Sequence, residues 1–231
     1  MSDLTICYLP AQWRALENDA LRASACAVID VIRATSTIVT ALAQGALGVQ
    51  PVAEAGDAFA LKARDPAALL AGERGGKPLP GFDLGNSPEE FTAGRVRGQR
   101  IILTTTNGTQ ALATCLGARA VVTAALLNLD ATAQRLRELG PPWTILCAGF
   151  EGGFGADDAV VAGALAEALD QDHALVSLYH SVRRDLAGTL LGSQAGQELV
   201  KAGLEKDVPF CAQLNLYPIV PTLGEDGILR I

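Results

Sequence analysis

Residues 25–45 read A-C-A-V-I-D-V-I-R-A-T-S-T-I-V-T-A-L-A-Q-G. Eight residues, apolar except for Asp30, run into a polar cluster, and apolar positions at helical spacing follow. This is a buried strand, a turn and a helix. The order recurs at R-I-I-L-T-T-T (100–106) before N-G-T-Q-A-L-A-T-C-L (107–116), and at W-T-I-L-C-A-G (143–149) before F-E-G-G-F-G-A-D-D-A-V-V-A-G-A-L-A-E-A-L-D (150–170). A weaker instance is A-A-L-L-A-G-E (67–73) before R-G-G. Strands hydrophobic throughout and alternating with helices imply an α/β layered fold, a mostly parallel sheet with helices on both faces.

Further strand-like runs are L-T-I-C-Y-L (4–9), G-V-Q-P-V-A (48–53), A-R-A-V-V-T-A-A-L (118–126) and G-I-L-R-I (227–231), and L-D-A-T-A-Q-R-L-R-E-L-G (129–140) reads as an amphipathic surface helix. From 172 to about 215 the pattern turns helical, and a proline-flanked Y-P-I-V-P-T-L (217–223) follows. With no Ser/Gly-rich linker and no internal repeat, the expectation is a single α/β domain over 1–231 with a helical lobe inside it.

With 231 residues, 49% of them hydrophobic, the chain is long enough to bury a sizeable core. A net charge of −7 repels polyanions and argues against nucleic acid as a partner. No apolar run approaches the roughly 20 residues that span a bilayer, and the first residues lack a signal-peptide pattern, so no membrane partner and a cytoplasmic location are expected. Cys7, Cys26, Cys115, Cys147 and Cys211 are widely spaced without C-x-x-C, which speaks for small buried hydrophobes and against a disulfide framework or a zinc site. Trp13 and Trp143 read as packing residues, and His180, Arg183 and Arg184 as groups on a surface helix.

In open α/β sheets ligands bind beyond the carboxyl ends of the strands, where helix N-termini offer free N–H groups. The reactive residue types gather at those positions. Asp30 needs a cation, hydrogen-bond donors or solvent, although a turn-capping aspartate would look the same. Arg33 with Thr35, Ser36 and Thr37 supplies donors for an anion, and Thr105, Thr106, Asn107, Gly108 and Thr109 repeat the arrangement at a second junction; capping and tight turns account for such residues equally well. The glycine-rich stretch before Asp157 and Asp158 reads as a flexible loop opening a helix, which those acids could cap. Together with Asp30 and Glu73 they make an all-oxygen donor set suited to a hard cation such as Mg2+. Asn86 and Ser87 sit in a shaped loop, Ser87 reading also as the N-cap of a helix opened by Pro88. Other phosphatase signatures fail: the sixth residue after Cys147 is Gly153 where a cysteine phosphatase has arginine, and the D-x-D pattern breaks at Ile32.

The ordered segments V-I-D-V-I-R-A-T-S-T (28–37), G-E-R-G-G (72–76), G-F-D-L-G-N-S-P (81–88), T-T-T-N-G-T (104–109), C-A-G with F-G-A-D-D (147–158) and the stretch 193–211, which contains Ser193, Gly196 and Asp207, resemble the 2-phosphosulfolactate phosphatase family. That resemblance implies a magnesium-dependent hydrolase of a small phosphorylated, sulfonated acid, forming sulfolactate on the route to coenzyme M, and a homodimer. It departs from the family at Asp157, often glutamate there, and at Ala156, where the family has a larger residue. On this reading Asp30, Arg33, Glu73 and Asp158 are catalytic. Asp30, Glu73, Asp157 and Asp158 hold metal; Thr35, Ser36, Thr37, Arg74, Asn86, Ser87 and residues 105–109 hold substrate. Two alternatives stay open, a phosphatase of another small phosphorylated hydroxy acid and a non-catalytic anion-binding protein.

Overall fold

A computed structural model describes residues 3–231. Its strands are β1 (Leu4–Cys7), β2 (Ala25–Ile29), β3 (Gly48–Pro51), β4 (Leu69–Arg74), β5 (Lys77–Pro78), β6 (Arg100–Thr104), β7 (Ala120–Ala124), β8 (Trp143–Cys147), β9 (Thr222–Leu223) and β10 (Leu229–Arg230). The helices are α1 (Pro10–Arg14), α2 (Asn18–Ala23), α3 (Ala34–Ala43), α4 (Ala55–Arg64), α5 (Ala93–Val96), α6 (Gly108–Thr114), α7 (Leu129–Leu139), α8 (Ala156–Ala168), α9 (Ala174–Val182), α10 (Leu186–Gly192), α11 (Gln194–Ala202) and α12 (Asp207–Cys211).

The strands form one sheet in the order β1-β8-β2-β7-β9-β10-β3-β6-β4-β5. Two parallel blocks, β1-β8-β2-β7 and β3-β6-β4, are joined by the short antiparallel pair β9 and β10. The α/β reading holds, with a mixed, mostly parallel sheet.

Successive side chains on a strand point to opposite faces, and β2 divides accordingly. Ala25, Ala27 and Ile29 enter one core with Leu129, Leu136, Val161 and Leu165 from α7 and α8. Cys26 and Val28 enter the other, with Trp13, Ile38, Leu42 and Leu112 from α1, α3 and α6. Helices therefore cover both faces. The helical stretch after 172 becomes α9 to α12, and Tyr179, Leu190, Leu199 and Val208 pack into the first core.

Three local expectations change. After β4 the chain makes a hairpin into β5 where the sequence pattern pointed to a helix, because Gly75 and Gly76 both take positive φ, the conformation of a two-residue hairpin turn. The loop read as flexible before Asp157 is instead a closed turn: Phe150 and Gly153 exchange main-chain hydrogen bonds of 3.2 and 2.8 Å around Glu151 and Gly152, both at positive φ. Ser87 does stand at the N-cap of the short 3-10 helix Pro88–Glu90, but its hydroxyl makes no cap bond, being engaged elsewhere. The five cysteines are buried and unpaired, and both tryptophans are buried. No helix among the described residues is long and apolar enough to cross a membrane.

Candidate active site

A cavity of about 240 Å³ opens where the carboxyl ends of β2, β4, β6 and β8 meet. Its walls include Asp30 and Arg33 after β2, Glu73 at the end of β4, Asn86 in the loop beyond β5, Thr106 and Asn107 after β6, and Asp157 and Asp158 in the first turn of α8. Ala195, Glu198 and Leu199 of α11 close one side.

Asp30 is fixed by its own turn. The Ala34 N–H donates to Oδ1 at 3.2 Å, while the Thr35 N–H and hydroxyl both reach the Asp30 carbonyl, each at 2.9 Å. The 104–109 loop can close on this carboxylate because residue 108 is glycine: a Cβ there would stand 2.6 Å from Asp30 Oδ2 and 2.8 Å from the Ala34 Cβ. Asp158 turns back to the strand ends, taking the Val31 N–H at 2.9 Å on Oδ1 and the Gly149 N–H at 3.0 Å on Oδ2. Glu73 Oε1 accepts the N–H and hydroxyl of Thr106, and Oε2 accepts the Gly76 N–H at 2.8 Å.

These acids lie in a poorly solvated place, and Arg33 in the same wall pairs with Asp207 and not with them. Burial pushes the Asp30 carboxyl up to about 7, with Asp157 and Glu73 adding to the rise and the Ala34 and Gly108 N–H groups opposing it. Burial likewise raises Asp157 to about 6 against the main-chain N–H groups of Asp157 and Asp158. Asp158 is raised by burial and then by the charges of Asp157 and Asp30. The described residues contain no ion pair to any of the four acids. Beneath them Cys147 is fully buried, and burial, then Asp158 and Asp157, hold its thiol well above the ordinary range. A thiolate nucleophile is thereby disfavoured.

Among the described residues no three His, Cys, Asp or Glu side chains close into a metal cage. The acids surround a space, and each keeps lone pairs free of its N–H partners. A zinc or calcium site would need a tighter set, whereas magnesium is commonly held by one or two carboxylates, water and substrate oxygens. The donor chemistry therefore fits magnesium.

Arg33 is buried in the cavity wall. Its Nη1 pairs with Asp207 Oδ2 at 2.6 Å and its Nη2 donates to the Gly76 carbonyl at 2.9 Å. Asn86 is buried as well, and its Oδ1 has no partner among the described residues. Of the other expected substrate residues, Thr106 and Asn107 line the wall, while several hydroxyls bond elsewhere. Thr35 donates to the Asp30 carbonyl, Ser36 to that of Val31, Thr37 to that of Asn86 and Thr109 to that of Thr105. The Thr105 hydroxyl receives the Thr109 N–H at 3.3 Å. Ser87 donates to Asp207, and Arg74 turns away to the Glu73 and Ala53 carbonyls and the Thr104 hydroxyl. Asp207 and the α11 residues were outside the expected site, although the matching stretch 193–211 contains them all.

A second cavity of about 230 Å³ lies at the amino ends of β3 and β6, where Arg100 and Asp65 pair with each other at 3.6 Å. It brings together no comparable group of acids.

An α/β chain with carboxylates gathered at its strand ends is built as an enzyme of the open-sheet kind. Its family follows from comparison. The sequence profile of the 2-phosphosulpholactate phosphatase family matches residues 13–226. A protein of Synechococcus sp. (strain JA-2-3B'a(2-13)) is 43% identical over 220 residues, covering 88% of this chain and 90% of that one. One from Pseudothermotoga lettingae is 42% identical over 211 residues (89% and 92%), and one from Deinococcus radiodurans 43% over 220 residues (88% and 91%). All three bear the name "Probable 2-phosphosulfolactate phosphatase". The chain belongs to the 2-phosphosulfolactate phosphatase family and is a phosphoric monoester hydrolase.

Proposed function

We propose that this cavity hydrolyses 2-phospho-3-sulfolactate to 3-sulfolactate and phosphate with Mg2+ as cofactor. The observation that carries the proposal is the absence of a cationic partner, among the described residues, for Asp30, Asp157 and Asp158, three buried carboxylates around one space. A highly anionic substrate cannot enter such a space unless a cation offsets its charge.

Asp30 and Asp157 would hold the magnesium, with Asp158 and Glu73 beside them. Bound there, the ion would offset charge on the phosphoryl oxygens and orient the attacking oxygen. Arg33 offers its remaining N–H donors to an anionic group, and Asn86 offers a buried side-chain oxygen, an acceptor suited to the metal ion or its water. The Thr106 and Asn107 segment forms the facing wall. Asp158 holds the ends of β2 and β8 against the start of α8, which keeps Asp30 and Asp157 at fixed separation. The same reading takes the enzyme as a cytoplasmic homodimer, which its mass in solution tests.

The test is phosphate release from 2-phospho-3-sulfolactate before and after exhaustive chelation, then with Mg2+ restored. Turnover should vanish and return. Release undiminished by chelation overturns the metal assignment, and equal turnover of analogues lacking the sulfonate overturns the substrate.

A further inference from the structure

Arg33 and Asp207 meet across 174 positions of sequence. Arg33 precedes α3, and Asp207 opens α12 at the far end of the chain. Both are buried, Asp207 completely. One Asp207 oxygen takes Arg33 Nη1 at 2.6 Å and the other takes the Ser87 hydroxyl at 2.6 Å, so three distant segments converge on one carboxylate.

A buried ion pair is seldom a net gain over apolar packing, because desolvating both charges offsets their attraction. Its retention beside a cavity calls for a purpose other than stability. A guanidinium carries five N–H donors in a planar fork, and two side-chain contacts, to Asp207 and to the Gly76 carbonyl, fix the plane of that fork. Arg33 lines a cavity that also holds Asp30, Glu73 and Asp157, and its fork keeps further donors beyond these two bonds. Without Asp207, the acids lining the same cavity are the counter-charges left to a buried guanidinium, and pairing with them would remove both the anion-binding donors and the free carboxylates.

We propose that Asp207, braced by Ser87, is a positioning residue: it holds the Arg33 fork away from the cavity carboxylates and in place to receive an anionic oxygen of the substrate. The proposal rests on the phosphatase reading for its substrate and on the Arg33, Asp207 and Ser87 contacts for its geometry. Asp207 itself touches no substrate.

A double-mutant cycle on kcat/KM separates this role from a structural one. Asp207→Asn keeps the shape and an acceptor for Ser87 and removes the charge. In the parent it should lower kcat/KM for 2-phospho-3-sulfolactate at least tenfold; in an Arg33→Ala background it should cost no more than about twofold. Equal losses in both backgrounds would overturn the proposal, since a purely structural aspartate acts regardless of Arg33. Should Asp207→Asn not fold, Ser87→Ala replaces it, with a smaller loss that must again disappear in the Arg33→Ala background. If the parent releases no phosphate from this substrate, the phosphatase reading fails on its own. The same cycle is then read on the rise in melting temperature caused by inorganic phosphate, where coupling supports the positioning role and additivity, or no rise in the parent, refutes it.

Discussion

The Val31 N–H donates to Asp158 Oδ1 at 2.9 Å, joining the residue after Asp30 to the first turn of α8, 127 positions away. The Gly149 N–H donates to the other oxygen of the same carboxylate. Asp158 is thus a structural clamp between two strand ends as well as one of the cavity acids. Asp158→Ala strands the buried Val31 N–H, at a cost of roughly 1–3 kcal/mol. Asp158→Asn retains one acceptor and removes a charge that burial and two neighbouring acids disfavour. Urea midpoints should place the asparagine variant above the alanine variant, and equal midpoints would contradict the clamp.

Gly108 has no room for a methyl group against Asp30 and Ala34. Overpacking at such a contact costs roughly 1–3 kcal/mol, and here the displaced atom belongs to the central carboxylate. Gly108→Ala should fold with a lowered melting temperature and lose at least tenfold in turnover. Parental turnover in that variant would show that the 104–109 loop need not press on Asp30.

The hydroxyls of Ser36 and Thr37 donate to buried main-chain carbonyls, bonds worth about 0.5–1.5 kcal/mol each to stability. Ser36→Ala should lower the denaturation midpoint and leave KM within about twofold. A KM raised tenfold with an unchanged midpoint would return Ser36 to the substrate.

This outcome marks where the sequence was legible and where it was not. The β2 to α3 stretch was readable because a strand buried on both faces is apolar throughout, and Asp30 breaks that run at its end. The second junction could be read for the same reason, with Gly108 needed for close approach. The hydroxyls were ambiguous: a threonine that satisfies a buried carbonyl and one that binds an anion are the same residue type at the same junction. The hairpin after β4 was missed because β5 has only two residues, too few to show a period. Asp207 lacked any local sign of its partner, since its pairing with Arg33 is made by the tertiary fold alone.

The raised acids make a pH prediction with a definite sign. Asp30 sits near 7 and Asp157 near 6 in the folded chain against an ordinary 3.8. Between about pH 4 and 7 the folded state therefore binds more protons than the unfolded one, and stability falls as pH rises through that window before levelling off. With a chelator present, the melting temperature should drop from pH 5 to pH 8 by more in the parent than in Asp30→Asn. Magnesium should raise it more at pH 8, where the carboxylates are ionised, than at pH 5. Identical pH slopes in parent and variant would refute the assignment of this strain to Asp30.

On the proposed reading Asp30 anchors a magnesium-dependent phosphatase site, and phosphate release by Asp30→Asn from 2-phospho-3-sulfolactate at saturating Mg2+ is the decisive measurement. The substitution keeps the side chain's shape and removes its charge. Loss of one preorganised electrostatic group at a reacting centre lowers the rate about 100- to 1000-fold, and a folded Asp30→Asn protein should show a loss of at least that size. A folded variant turning over within a few-fold of the parent would contradict the account.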